Sequence, residues 1–238
     1  MKKNAYVLSV ILLLFCATFV YGQKNYPKRE FRGVWIASVM NIDWPSRAGL
    51  SVEQQKQEYI DLLEMHKNDG LNAVIVQVRP SADAFYDSKH EPWSQWLTGK
   101  QGKAPEPFYD PLVFMIDEAH KRNLEFHAWC NPFRAVVNVE RTERTENHLT
   151  KTHPEWFVQY GRNMYFDPGM PEAREHVTKV IKDIVKRYDV DGVHFDDYFY
   201  PYKIKDVDFP DTASYTRYNI ARIDSVMQAD STFTTDTV

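Results

Sequence analysis

The amino-acid sequence predicts an α/β fold of the (β/α)8 barrel type, and three observations carry that reading. Strand-like and helix-like segments alternate with little filler. The strand candidates are β-branched and nearly continuous in apolar character, as strands covered on both faces are. The first strand candidate is followed by MNIDWPSRAG, not by the Gly-rich phosphate loop expected of an open nucleotide-binding sheet. A parallel sheet flanked by helices then closes best as a barrel. The 238 residues offer four strong strand candidates and one weak one. The prediction is therefore the first four to five β/α units out of eight.

Each element has a local reason. A strand is expected over 31–38 (FRGVWIAS). A helix over 51–69 opens on a capping box, Ser51 with Gln54, and closes at Gly70. NAVIVQVR over 72–79 is the second strand. Asp110 caps a helix that has Pro111 at its first position and runs to about Arg122. EFHAWCN over 125–131 is the third strand. Tyr165-Phe166 is the weak candidate, and Asp167-Pro168-Gly169 then turns the chain into a helix over 171–188. Val177, Val180, Ile181, Ile184 and Val185 repeat there at the spacing of one helix face. DGVHFDDY over 191–198 is the fourth strong strand, and a last helix is expected over 214–227.

Composition narrows the function classes. With 29 basic and 33 acidic residues the chain is mildly acidic, and no basic stripe points to nucleic acid. Lys2 and Lys3 precede an apolar run, and Val20-Tyr21-Gly22 offers a cleavage site, so residues 1–22 read as a secretory signal peptide. That predicts an exported protein, periplasmic or extracellular, with one domain over 23–238 and no stable membrane anchor after cleavage. Cys130 is then the single cysteine, which precludes an internal disulfide and a thiolate zinc site. No cofactor is indicated.

The period of two along strands sorts the polar residues. His194, Asp196 and Tyr198 share one face of their strand; Gln77 and Arg79 share one face of theirs; His127, Trp129 and Asn131 do the same. In each case the polar residues gather toward the C-terminal end, where barrels of this type build active sites. Asp196, between His194 and Tyr198, is the candidate catalytic carboxylate. Asp43, Asp83 and Glu155 fall in loops, where solvation is the default, and Asp167 reads as a turn residue. Aromatics in the same loops, among them Trp44, Trp93, Trp96 and Phe108, suit a rim that stacks on sugar rings.

The segments RGVWIASVMNIDWPS, NAVIVQVRPSADAFY, WSQWLTG, LEFHAWCNPFR, YFDPGMPEAR and YDVDGVHFDDYFYP resemble the catalytic domain of the glycosyl hydrolase-like family 10 of bacteria. The resemblance runs from about residue 29 to 218 and leaves a divergent tail over 219–238. It implies a barrel related to retaining glycoside hydrolases, export, and action on bacterial glycans, with peptidoglycan strands favoured. Carried over by motif, Asp196 is the nucleophile, while Arg79, His127, Asn131 and His194 meet substrate hydroxyls or orient it. Tyr198 and Trp44 join the substrate-binding set. Glycoside cleavage needs a second carboxyl, about 5–5.5 Å away for retention or about 6.5–9.5 Å for inversion, and the family places it on a later strand. The sequence therefore reads as a C-terminally truncated barrel. Two other readings are a metal-dependent amidase or deacetylase using His127, His194 and Asp196, and an inactive glycan-binding remnant.

Overall fold

A parallel sheet of four strands, in the order Gly33–Ile36, Ala73–Arg79, Glu125–Cys130 and Gly192–His194, forms the floor of the molecule. The structure, a computed structural model, describes residues 30–197 and 199–233. The unit Arg32–Val238 contains every element named below. The signal-peptide reading of 1–22 and the residue Tyr198 lie outside the described residues.

In chain order the elements are β1 (Gly33–Ile36), α1 (Val52–Asn68), β2 (Ala73–Arg79), α2 (Gln95–Thr98), α3 (Pro111–Lys121) and β3 (Glu125–Cys130). Then come β4 (Arg134–Val136), α4 (Leu149–Thr152), β5 (Phe157–Tyr160), β6 (Asn163–Phe166), α5 (Pro171–Arg187), β7 (Gly192–His194) and α6 (Thr212–Phe233). The expected caps form. Ser51 accepts from the Gln54 backbone while Gln54 accepts from the Ser51 backbone, and Asp110 Oδ1 accepts from Leu112 N at 2.9 Å. Gly70 ends the α1 region at φ +81°, a conformation that costs any other residue strain.

One face of the sheet carries the core. Ile36, Val74, Val76, Val78, Phe126 and Ala128 pack against Tyr59 and Leu63 of α1, Leu112 and Met115 of α3, and Ile184 of α5. Burying a side chain such as Phe126 contributes about 1.5–3 kcal/mol. Cys130 belongs to this core, and burial pushes its thiol up to about 12, so it acts as packing and not as a nucleophile.

The weak strand at Tyr165-Phe166 exists, but not in the parallel sheet. It belongs to β6, which lies between β4 and β5 in a separate antiparallel sheet. The Gly161-Arg162 turn, with Gly161 at φ +58°, closes the β5–β6 hairpin. This small sheet has its own core of Val136, Phe157, Phe166, Leu149 and Ala173, with Phe157 and Phe166 rings 4.4 Å apart. Among the described residues the parallel β/α units therefore number four: an α/β half of the (β/α)8 type. The last helix starts slightly earlier than expected and presents Tyr218, Ile220, Ile223 and Val226 to solvent. Among the described residues, no helix is long and apolar enough to cross a membrane.

Candidate active site

The site forms where β3 and β7 end. These strands pair in parallel with Trp129 opposite His194, so both side chains leave the same face. Two residues further along each strand direction stand Asn131 and Asp196. Asn131 Nδ2 donates to both carboxylate oxygens of Asp196, at 3.1 and 3.0 Å, and Trp129 Nε1 donates to Oδ2 at 3.1 Å. Asp196 is only 5% exposed.

The Asn131 side chain is itself fixed. Its Oδ1 accepts from Arg134 N at 2.7 Å, which requires the NH2 end to face Asp196. Its backbone N donates to Arg79 O at 3.0 Å. Beside the carboxylate lies an aromatic shelf: Trp35 sits 5.5 Å from Trp129 and 5.3 Å from His194, centroid to centroid. Trp35 is 56% exposed, which leaves a ring face available for stacking. His194 Nε2 is buried with no hydrogen-bond partner among the described residues.

Of the residues expected from sequence, Asp196, Asn131 and His194 come together. Arg79 does not join them, because the register of β2 against β3 slips between Gln77 and Arg79. The slip sets Arg79 opposite Cys130 and breaks the alternation that put it beside Gln77. Arg79 is fully buried; its Nε donates to Glu91 Oε2 at 2.7 Å, and its Nη1 donates to the Asn131 carbonyl. It therefore braces Asn131 from behind and does not face a substrate. Burial alone would raise the Glu91 carboxyl, but the Arg79 guanidinium and a hydrogen bond from His176 override it and hold it at about 2.

Trp44 is also placed elsewhere than expected. It is 1% exposed within the main core, and its Nε1 donates to Gln55 O at 2.9 Å. His127 lies lower on β3, with Nε2 3.0 Å from Glu125 Oε2 and its ring over Gly192, where a Cβ would come within 2.4 Å of Nδ1. Consequently His127, His194 and Asp196 do not converge, and among the described residues no three His, Cys, Asp or Glu side chains are grouped to hold a metal ion.

Two features escaped the sequence reading. Trp129 was placed on the correct face but given no task, although a buried indole N–H needs an acceptor and Asp196 supplies it. Asp83, expected in solvent, is 2% exposed. Burial raises its carboxyl to about 7, with Glu91 adding to the rise and the Ser94 hydroxyl opposing it. Asp167 is the turn residue expected, accepting from Gly169 N at 2.8 Å.

A carboxylate held by side-chain N–H donors at a strand end of a β/α sheet, next to an aromatic shelf, suits glycoside chemistry. The family model described as glycosyl hydrolase-like 10 matches residues 30–234. The chain belongs to this glycosyl hydrolase-like 10 family. It is 53% identical over 214 residues to the glycosyl hydrolase YngK of Bacillus subtilis, covering 90% of this chain and 42% of that protein. It is 40% identical over 188 residues to the glycosyl hydrolase DigH of Escherichia coli, covering 72% of this chain and 42% of that one. The family member described here thus spans less than half the length of both relatives. Among solved structures it is similar to a maltogenic α-amylase of Thermotoga neapolitana, with a TM-score of 0.44 and 18% identity over 69% of this chain and 38% of that one.

Proposed function

We propose that the chain carries the nucleophile side of an exported glycoside hydrolase that cleaves a bacterial cell-wall glycan, peptidoglycan strands above all. One observation carries this reading: the Asp196 carboxylate is aimed and held by Asn131 and Trp129 at the C-terminal end of β7. A preset carboxylate of this kind can attack an anomeric carbon or stabilise the oxocarbenium-like transition state, while a second carboxyl protonates the leaving oxygen. Its two oxygens are oriented before the substrate arrives, which lowers the reorganisation needed at the reacting carbon. Trp35, Trp129 and His194 provide the apolar platform for the sugar ring bound there. The N-terminal charge, apolar run and cleavage pattern support export.

The test is reducing-end release from peptide-free peptidoglycan strands. Asp196→Asn preserves size but removes the charge and turns one of the two accepting oxygens into a donor. It is expected to lower turnover by about a thousandfold or more. Turnover of the full-length gene product left unchanged by Asp196→Asn overturns the assignment.

A further inference from the structure

We propose that a second cleft, at the same end of the sheet as Asp196, binds an acidic sugar of the glycan through Arg141 and Arg162. The proposal rests on the glycoside hydrolase reading above and deepens it. The cleft has a volume of about 400 Å³, room for one saccharide unit. Its lining comes from the loop after β1, from α2, from the segment after β4 and from the β5–β6 turn, and it includes none of the side chains that hold Asp196.

The cleft is built by specific local contacts. Asn138 Oδ1 accepts from Glu140 N at 3.0 Å and its carbonyl from Thr142 N at 2.9 Å, a turn that places Arg141 at the rim. Val139 N donates to Arg162 O at 2.8 Å and joins this turn to the hairpin. On the opposite wall, Asn41 Nδ2 bridges the carbonyls of Pro45 and Trp96, at 2.9 and 2.8 Å, and ties the first loop to α2. The walls therefore need little ordering when a ligand enters.

The chemistry of the lining selects the ligand. No carboxylate lines the cleft, and neither the Arg141 nor the Arg162 side chain has an ion pair or a hydrogen bond among the described residues. Two exposed guanidinium groups on one small cleft repel each other until an anion sits between them, and their planar forks match a carboxylate. Trp96 and the amides of Gln95 and Asn138 match a ring bearing hydroxyl and acetamido groups. A separate smaller hollow shares Gln95, Trp96 and Thr142 with the cleft and is also lined by Ser81 and Asp83. Ser81 is 5% exposed and its Oγ has no partner among the described residues, and the hollow, about 10 Å³, has room for no more than a water there. By contrast, the groove along α5 lined by Arg174, Lys179 and Lys182 also contains Glu175 and Asp183. With Lys186 that surface still carries an excess of positive charge, but its carboxylates lie among the cations and compete with an anionic ligand for them.

The experiment compares two probes that differ only in charge. One is a peptide-free peptidoglycan tetrasaccharide with its lactyl carboxylates free, and the other is the same tetrasaccharide as methyl esters. Calorimetric titration of the full chain is expected to show the acid binding about tenfold or more tighter than the ester, the effect of a charge-assisted hydrogen-bonded contact. The double variant Arg141→Ala/Arg162→Ala is expected to erase that difference while binding the ester as before, and Arg→Lys at both positions to retain part of it. Both side chains are exposed, so the substitutions do not threaten folding. Equal binding of acid and ester overturns the acidic-sugar site and leaves the glycan reading standing. A preference that survives the double Ala variant overturns the assignment to these arginines. No binding of either probe overturns the glycan reading itself.

Discussion

The two faces of the parallel sheet are made by the same four strands and serve opposite ends. The outer face is sealed: Val74, Val76, Phe126 and Ala128 are fully buried beneath α1, α3 and α5. The inner face is open and mixed, with Trp35 56% exposed beside Trp129, His194 and the Asp196 carboxylate. The difference shows where this chain places its stability and where it places its chemistry. Alternation along each strand is the physical device that keeps the two apart.

The largest expected effect tests that division directly. Phe126→Ala empties a site with no exposed surface and is expected to cost about 3–5 kcal/mol by urea denaturation. Trp35→Ala removes a larger side chain from the inner face, yet is expected to cost about 1 kcal/mol or less, because half of it already meets water. Glycan binding should respond in the reverse order, with Trp35→Ala the more damaging. Comparable losses of stability from both substitutions would break the comparison.

Where the alternation holds, much of the site was legible in the sequence. EFHAWCN and DGVHFDDY place Trp129, Asn131, His194 and Asp196 on one face by period alone, and the structure joins them with hydrogen bonds. The caps at Ser51 and Asp110 were equally readable, since they depend on neighbours three residues away or fewer. The rest depends on long-range partners. Arg79 was misplaced because a register slip between strands leaves no mark in either strand's pattern. The burial of Trp44 and Asp83 is decided by residues beyond their immediate sequence neighbours: Gln55 and Phe85 for the first, Ser94 and Glu91 for the second. The pairing of β6 with β5 and β4 likewise could not be told from a short barrel strand by its composition.

Asp83 sharpens the comparison at the rim where the faces meet. Its carboxyl is raised from 3.8 to about 7 by burial, so the folded state holds a proton that the unfolded state has released between those values. Stability from this group is therefore full at low pH, falls as pH rises from about 4 to 7, and is constant above, a total of roughly 1–4 kcal/mol. Urea midpoints measured across that range should fall with pH after allowance for other groups. Asp83→Asn, which cannot ionise, should flatten that part of the profile; an unchanged slope would show that Asp83 is already ionised in the folded chain.

The smallest expected effect isolates one hydrogen bond on the inner face. Trp129→Phe keeps an aromatic ring against Trp35 and His194 but removes the Nε1–H that reaches Asp196 Oδ2 at 3.1 Å. Asn131 still donates to both oxygens, so the carboxylate remains held, with one direction of constraint lost. The stability change is expected to be about 0.5–1.5 kcal/mol, the net worth of a single hydrogen bond together with a modest loss of ring area. If the indole aims the nucleophile, kcat should fall severalfold while KM stays near its original value, because the ring that stacks on the sugar is retained. A change confined to KM would assign Trp129 to substrate stacking alone. The aiming of Asp196 would then rest entirely on Asn131, whose orientation is set by Arg134 N and by the Arg79 brace behind it.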